Sequence, residues 1–121
     1  MKKLETFKPK LVEKRWGSEL WTANDSVHDY CGKILHIKEG HSTSMHYHEK
    51  KHETFHILEG TLKVEYINTT EGTLNSINVC EGESMKLPVL TPHKLYAFEG
   101  SVTFIESSTY HMDSDSFRIY L

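Results

Sequence analysis

Glu-Gly pairs divide this 121-residue chain into short segments. They stand at residues 39–40, 59–60, 71–72, 81–82 and 99–100, so 10 to 20 residues separate each pair from the next. Glycine accepts positive φ without steric cost, and such pairs are therefore typical of tight turns between strands. The intervening segments are rich in β-branched and aromatic residues, and apolar and polar side chains alternate in residues 62–67. Apolar side chains at helical spacing do not occur in any window of a dozen residues. The pattern predicts an all-β sandwich or barrel.

The size and charge of the chain limit its possible functions. A length of 121 residues predicts a single domain, 1–121. The net charge of −3 and the scattered lysines give no basic surface for nucleic acid. No run approaches the ~20 apolar residues of a membrane span, and no apolar run follows the basic N-terminus as in a signal peptide. Cys31 and Cys80 are expected to be buried free thiols. We therefore expect a cytoplasmic protein that binds neither nucleic acid nor membrane.

Histidines concentrate in one part of the chain. Five of the nine lie between residues 41 and 56. His46 and His48 are two apart, so on a strand both rings project from one face. Glu53 follows a turn and begins the next antiparallel strand, which would bring its carboxylate beside the two imidazoles. His93 follows a Thr-Pro step into another strand and would join them if the sheet curls into a barrel. Three imidazoles and one carboxylate suit one divalent transition metal, and Fe, Mn, Ni, Co and Zn are all compatible with them.

The spacing of these residues resembles that of a known family. The segment from Gly40 to Gly60 matches the first motif of the cupins at every fixed position, and the segment from Gly82 to His93 resembles their second motif. The resemblance covers about residues 32–107. It implies a cupin jelly-roll barrel (a double-stranded β-helix) with a metal bound inside, and frequently a homodimer. The matched residues are Gly40, His46, His48, Glu53 and Gly60 in the first motif and Gly82, Pro88 and His93 in the second, and the implied metal ligands are His46, His48, Glu53 and His93.

Two positions depart from the second cupin motif. Leu90 stands where the family usually has glycine, and Ala97 stands where it usually has asparagine. A leucine at positive φ is strained, so we expect the 88–92 turn to differ from the family form. Ala97 removes a polar group from the barrel interior without removing a metal ligand.

A narrower resemblance is to the cupin domain of type II phosphomannose isomerases. Residues 14–17 (Lys-Arg-Trp-Gly) followed by Glu19 are similar to the Pro-Trp-Gly segment that opens that domain. Residues 107–111 and 113–118 are similar to its C-terminal segment. Those isomerases carry an arginine in the strand before Gly40, where this chain has Ile34 beside Lys33. That departure argues against phosphomannose isomerase activity itself and leaves a cupin near the sugar-handling branch.

The segments outside the barrel are assigned from their position and their tryptophans. Residues 1–28 are expected to form an N-terminal arm that packs on the barrel, and residues 108–121 form a C-terminal segment. Trp16 and Trp21 are costly to leave in water, so we expect residues 11–23 of this arm and an outer sheet face carrying His56 to build a homodimer. Strand alternation puts Phe55 and Ile57 inward and His56 outward.

Three functions are compatible with such a metal site. The first is a metal-dependent isomerase, or a related enzyme, acting on a sugar or sugar phosphate. Adjacent oxygens of the sugar would chelate a Lewis acid while a base moves the proton. The second is an Fe(II)-type dioxygenase, because the same ligands serve several metals. The third is a non-catalytic sugar-binding or regulatory cupin. The sequence does not identify the catalytic base, for which Lys33 and Tyr110 are the candidates.

The substrate pocket is expected to be small and mostly neutral. Phe55, Ile57 and Leu95 would line it, and Lys33 would be the one cation able to reach a phosphate. A small polar molecule is therefore the predicted ligand, held mainly through the metal. The predicted substrate-binding residues are Lys33, Phe55 and Tyr110.

Overall fold

The computed structural model describes residues 1–120. More than half of these residues lie in strands, and their one helical element is a 3-10 turn at Asp113–Asp115. This content confirms the predicted all-β class. The strands are β1 (Lys10–Lys14), β2 (Gly17–Asp25), β3 (Tyr30–Ile37), β4 (His41–Ser42), β5 (Met45–Tyr47), β6 (Glu53–Glu59), β7 (Leu62–Asn68), β8 (Thr73–Val79), β9 (Ser84–Leu87), β10 (His93–Ala97), β11 (Val102–Ser108) and β12 (Phe117–Tyr120).

The strands form two antiparallel sheets. The first sheet has the order β1-β2-β3-β11-β6-β9. The second has the order β12-β5-β10-β7-β8, with β4 also paired to β10. Several strands that are consecutive in sequence lie in different sheets, among them β5 and β6, β9 and β10, and β10 and β11. The chain therefore crosses repeatedly from one sheet to the other, and the fold is the predicted jelly roll.

The hydrophobic core lies between the sheets and follows from strand alternation. In β6, Phe55 and Ile57 are buried, while His56 lies on the outer face, as predicted. The Phe55 ring meets the Phe104 ring of β11 edge to face, with 5.3 Å between centroids, a geometry that aromatic pairs favour. The buried core consists of Leu35, Ile37, Phe55, Ile57, Leu62, Val64, Val79, Leu87, Leu95, Ala97, Val102 and Phe104.

The N-terminal arm takes the form of a β-hairpin that extends the first sheet. Strands β1 and β2 pair with each other, and β2 pairs with β3 along most of its length. Gly17 begins β2 with a φ of 155°, and a Cβ there would collide with the carbonyl oxygen of His36. Only glycine allows so close an approach. Trp16 packs against the core, and Trp21 turns its ring toward Lys33 on the inner face. Both tryptophan side chains therefore pack against residues of their own chain.

The turn before β10 contradicts one expectation from the sequence. Leu90 has a φ of 61°, the left-handed conformation that we expected leucine to avoid. Its side chain is 54% exposed, and its N–H donates to the carbonyl oxygen of His48 at 2.7 Å. That bond ties the turn to the segment carrying a predicted metal ligand. The tertiary hydrogen bond thus holds Leu90 in a conformation that its side chain disfavours.

Two further sequence predictions concern the thiols and membrane segments. Cys31 and Cys80 are both free, as predicted. Cys31 is buried, but Cys80 is exposed, so the expectation of two buried thiols is wrong for Cys80. Within residues 1–120 no helix has the length and apolar character needed to cross a membrane.

Candidate metal centre

Three histidines converge at one end of the second sheet. His46 lies in β5, His48 follows that strand directly, and His93 begins β10. The backbone register places His93 opposite His46, with 4.4 Å between their ring centroids. One nitrogen from each of the three rings lies within 4.8 Å of one nitrogen from each of the others. Direct pairing of β5 and β10 within one sheet therefore brings His93 to His46.

Glu53 reaches the histidines from the opposite sheet. It begins β6, as predicted. We expected β6 to pair with the strand that carries the histidines, and this expectation is wrong, because β6 lies in the first sheet and β5 in the second. Its Oε2 lies 3.8 Å from Nε2 of His48 and 3.8 Å from Nε2 of His93. These separations are too long for hydrogen bonds. Oε2 is buried without a hydrogen-bond partner among the residues that the structure describes. An orphaned buried carboxylate oxygen of this kind costs about 1–3 kcal/mol or more unless a cation meets it.

Backbone carbonyls fix the tautomer of all three imidazoles. A carbonyl oxygen can only accept, so each Nδ1 carries the proton and each Nε2 keeps its lone pair. Carbonyl oxygens in this position orient metal-ligating histidines and raise their basicity. The three bonds join His46 Nδ1 to the Ser44 oxygen at 2.8 Å, His48 Nδ1 to the Asp115 oxygen at 2.8 Å, and His93 Nδ1 to the Thr91 oxygen at 2.9 Å.

Burial keeps these imidazoles neutral. It lowers the pKa of His46, and burial together with the Lys51 ammonium lowers the pKa of His48 to about 4. Burial also holds the pKa of His93 well below its usual range. Neutral imidazole is the form that binds metals, so the rings are prepared for coordination at neutral pH.

The three histidines could hold a metal ion together, and Glu53 Oε2 lies beside two of them. A metal about 2.0–2.2 Å from each ligand atom separates neighbouring ligand atoms by about 3–4 Å. The 3.8 Å distances from Glu53 Oε2 to His48 and His93 fall in this range. Three nitrogens and one carboxylate oxygen suit first-row metals from Mn to Zn and leave positions open for a ligand.

A buried lysine stands behind Glu53. Lys51 Nζ lies 3.0 Å from Glu53 Oε1 and 3.2 Å from Glu106 Oε2, and it meets His111 Nδ1 at 2.9 Å. His111 in turn donates from Nε2 to Asp113 at 2.8 Å. The ammonium therefore has three partners and no capacity left for a substrate. Its contact with Oε1 leaves the other carboxylate oxygen of Glu53 turned toward the histidines.

Two buried carboxylates share this one ammonium. Burial and the neighbouring Glu106 raise the pKa of Glu53 to about 8, against the opposing effect of Lys51. Burial opposes ionisation of Glu106 as well, but Lys51 and Lys33 outweigh it and lower the pKa of that carboxyl. Burial and Glu106 therefore disfavour the ionised form of Glu53, whereas the two lysines favour the ionised form of Glu106.

The site opens into a cavity of about 550 Å³. Lys33 and Phe55 line it, as predicted, whereas Tyr110 is not among its lining residues. The expectation of a mostly neutral pocket with one cation is wrong. Its charged lining residues are Lys14, Arg15, Glu19, Lys33, Lys51, Glu53, Glu106, Asp113 and Arg118.

Lys33 occupies the first-sheet side of the cavity. Its side chain is only 2% exposed, and its Nζ lies 4.4 Å from the centroid of the Trp21 ring, a cation–π distance. Its nearest carboxylate oxygen is Glu19 Oε1 at 3.5 Å, which also accepts the Trp21 Nε1–H at 2.9 Å. Glu19 Oε1 thus serves both groups.

Sequence reasoning missed most of the residues around Glu53. Glu106 had a usable signal, because it continues the inward alternation of Val102 and Phe104 along β11. Lys51 and His111 had no signal in the sequence, because they lie outside the strands and only the fold brings them together. Asp115, which is buried in the 3-10 turn, was missed for the same reason.

The fold has solved counterparts, but the sequence has no close relative in the comparisons. No family model and no curated protein matches it. The capsular polysaccharide assembling protein CapF from Staphylococcus aureus matches with a TM-score of 0.80 at 15% identity, over 96% of this chain and 34% of that chain. An oxalate decarboxylase from Bacillus subtilis gives 0.78 at 17% identity, over 92% and 30%. The oxalate decarboxylase of Lactobacillus farciminis gives 0.75 at 19%, over 92% and 33%.

These similarities establish the fold. The chain spans about a third of the length of each solved chain. Both kinds of protein have the cupin fold, so the cupin architecture implied by the two motifs is confirmed. They give no support to the narrower resemblance to phosphomannose isomerases.

Proposed function

We propose that this chain binds one divalent transition metal through His46, His48, Glu53 and His93, and isomerises a sugar or sugar phosphate bound beside it. The observation that best supports a bound metal is the buried Glu53 Oε2, which faces two imidazole nitrogens and has no hydrogen-bond partner among residues 1–120. Each histidine already has its Nδ1 bound to a carbonyl. A bound metal would supply a Lewis acid for adjacent oxygens of the substrate.

The cavity supports a small polar substrate. Its volume of about 550 Å³ lies within the range of small-molecule sites. Phe55 and Leu95 provide apolar wall, and most of the remaining lining side chains are polar or charged. Such a lining suits a polyhydroxylated molecule better than an apolar one.

Glu19 is the best-placed base for moving a proton between adjacent carbons. It lines the same cavity as the histidines, and its charge acts on the His46 ring. Its Oε1 accepts from Trp21 and Lys33, which leaves Oε2 to take a proton. His111 is less suitable, because Lys51 and Asp113 occupy both of its ring nitrogens.

Solved proteins of this fold bind small oxygen-rich molecules. The Lactobacillus farciminis oxalate decarboxylase was crystallised as a formate complex, and CapF with the inhibitor 3-isopropenyl-tropolone. Both ligands carry oxygens able to ligate a metal. By analogy, we propose that the substrate of this chain also binds the metal through adjacent oxygens.

We also propose that the chain forms a homodimer and works in the cytoplasm. The outer face of the first sheet carries a row of paired positions, Leu11, Leu20, Ile34 and Ile105, beside His56. Leu11 is 57% exposed and the rest are half-buried in the single chain, so a second copy would cover an apolar stripe. The two free thiols suit a reducing compartment.

The test combines metal analysis with a direct assay of isomerisation. Purified protein is analysed for metals, and sugars and sugar phosphates are screened by thermal shift. Each ligand that binds is then incubated in D₂O and followed by NMR. We expect one metal per chain, and aldose–ketose conversion with exchange of the C2 proton. Glu19→Gln should abolish both conversion and exchange while leaving the metal content unchanged.

The other functions give different results in the same experiment. Sugar binding without conversion or exchange would favour a non-catalytic sugar-binding cupin. Turnover that requires Fe(II) and consumes O₂ would favour a dioxygenase. Protein without bound metal, and unable to take it up, would refute the metal site itself.

A further inference from the structure

Both arginines of the chain line the metal cavity. The sequence contains only two, Arg15 and Arg118, and they lie 103 positions apart. The lining as a whole has five cationic side chains and four carboxylates, a formal charge of +1 in a chain whose net charge is −3. A divalent metal would add two more positive charges. The cavity is thus a positive region in an acidic protein and would concentrate anions.

The carboxylates of the cavity are already engaged by the protein. Glu19 accepts from Trp21 and Lys33, and Asp113 accepts from His111. Glu53 and Glu106 share the ammonium of Lys51. Among residues 1–120, neither arginine has a carboxylate oxygen within 4.0 Å. Two guanidinium groups that lack a carboxylate partner among residues 1–120 therefore face the cavity.

Strand pairing places Arg118 next to a metal ligand. In the β12–β5 ladder Arg118 is directly opposite His46, and opposed residues of an antiparallel pair project from the same face. Arg15 approaches from the other sheet, in the turn between β1 and β2. The two arginines thus come from opposite sheets to one cavity.

Lys33 adds a buried cation with unused hydrogen-bonding capacity. Its ammonium has three N–H groups. It makes one hydrogen bond, of 3.5 Å, to Glu19, and packs on the Trp21 ring. The side chain is 2% exposed and lines the cavity. A buried ammonium with so few partners is expected to accept an anionic one.

We propose that Arg15, Lys33 and Arg118 form an anion subsite that binds the phosphate of a phosphate monoester, whose remaining oxygens reach the metal. The subsite makes the proposed function more specific, and it depends on that function only for the presence of the metal. Guanidinium groups bind phosphate oxygens in pairs, and a phosphate dianion has enough oxygens to meet three cations at once. The substrate class is therefore a phosphorylated sugar, as opposed to a neutral one.

Inorganic phosphate and arginine NMR signals test the subsite directly. The protein is loaded with Zn²⁺, which is diamagnetic, and phosphate is titrated at constant ionic strength. A chain with two arginines has two side-chain Nε–Hε signals. We expect both to shift saturably with one dissociation constant. Arg15→Gln and Arg118→Gln should each weaken phosphate binding by about 10- to 150-fold, the usual range for losing a charge-assisted bond. Arg118→Lys, which keeps the charge but not the paired N–H groups, should lose less affinity than Arg118→Gln.

Controls separate the subsite from general charge and from the metal. Lys38→Gln removes a cation that is exposed and outside the cavity, and it should leave phosphate affinity unchanged. Phosphate bound only to Zn²⁺ would be unaffected by either arginine variant, and that result overturns the subsite. Equal losses in all three glutamine variants would also overturn it, because they indicate nonspecific attraction. Zn²⁺ affinity, measured separately in each variant, reports on the metal site, so failure of one proposal is distinguishable from failure of the other.

Discussion

Asp115 binds the metal-ligand segment through both its backbone and its side chain. Its carbonyl oxygen accepts the Nδ1–H of His48 at 2.8 Å. Its carboxylate, which is buried, accepts the backbone N–H groups of Glu49, Lys50 and Lys51 at 3.0 to 3.3 Å. The segment after β5 would otherwise leave these amides without partners. One residue of the C-terminal segment thus orients a ligand ring and fixes the loop that leads to Glu53.

Replacing Asp115 should weaken metal binding without removing a ligand. Asp115→Ala keeps the carbonyl that orients His48 and removes only the carboxylate that holds the loop before Glu53. We therefore expect a loss of about tenfold in metal affinity, the low end of the range typical for residues that support ligands. Asp115→Asn, which keeps one acceptor oxygen, should lose less. Competition with a chromophoric chelator gives the affinity. Ser114→Ala, at the exposed neighbouring position, is the control. Unchanged affinity in Asp115→Ala would show that the loop holds its shape without the carboxylate.

Substitution of a histidine inside the barrel should affect metal binding, whereas substitution of one on the outer face should not. His93 is buried among the ligands, whereas His56 lies on the outer face of β6 and bonds to Ser84 at 2.8 Å. His93→Ala should therefore lower metal content sharply, and His56→Ala should leave about one metal per chain. Elemental analysis after gel filtration measures both. Equal loss from the two variants would mean that the metal does not lie inside the barrel.

The convergence of the three histidines could be predicted from two short sequence motifs. A spacing of two puts His46 and His48 on one side of a strand, and a turn brings the chain back at Glu53. His93 was within reach because the second motif fixes the start of its strand. The sequence did not reveal that Glu53 comes from the opposite sheet, since sheet membership depends on pairings made elsewhere in the chain.

The charged surroundings could not be predicted because they are non-local. Lys51 looks like a solvated residue of a polar turn, and it is buried only because Glu106 and His111 meet it from 55 and 60 positions away. Burial of an ammonium is tolerable only with such partners. The two arginines, 103 positions apart in sequence, reach one cavity by the same kind of long-range placement.

Leu90→Gly should stabilise the protein. The left-handed conformation costs a non-glycine residue about 1–2 kcal/mol, and glycine removes this cost. Glycine also gives the unfolded chain more conformational freedom, which offsets about 0.4–1 kcal/mol of the gain. We therefore expect a net gain of about 0.5–1 kcal/mol in the free energy of unfolding. Urea unfolding with an unchanged slope measures it. Leu74→Gly, at an exposed leucine within β8, should instead destabilise. A loss of stability in Leu90→Gly would show that the exposed leucine side chain contributes packing.

The proposed dimer should depend on the apolar outer row and not on the tryptophans. Ile34 lies at the centre of that row, paired with Leu20 on one side and Ile105 on the other. Light scattering should give twice the chain mass of 14.1 kDa for the natural sequence. Ile34→Lys should give the single-chain mass, because a charge cannot be buried there without a partner. Leu74→Lys, in the second sheet, should remain dimeric. A natural chain that is monomeric at micromolar concentration would refute the dimer.

Metal binding should release about one proton per chain near pH 7, and the proton should come from Glu53. Burial and Glu106 raise the pKa of Glu53 to about 8 in the metal-free protein, so a metal must displace that proton at any lower pH. The imidazoles contribute little, because the pKa of His48 lies at about 4 and those of His46 and His93 are lowered too.

The affinity should accordingly rise about tenfold per pH unit between roughly pH 5.5 and 8 and level off above that. Protonation of the imidazoles should weaken metal binding only at lower pH, because the pKa of His48 lies at about 4 and the pKa values of His46 and His93 are lowered as well. Calorimetry in buffers of different ionisation enthalpy counts the protons. Glu53→Gln should bind more weakly and release no proton at pH 7. Release of two or more protons by the natural chain would instead mean that the histidines are protonated before the metal arrives.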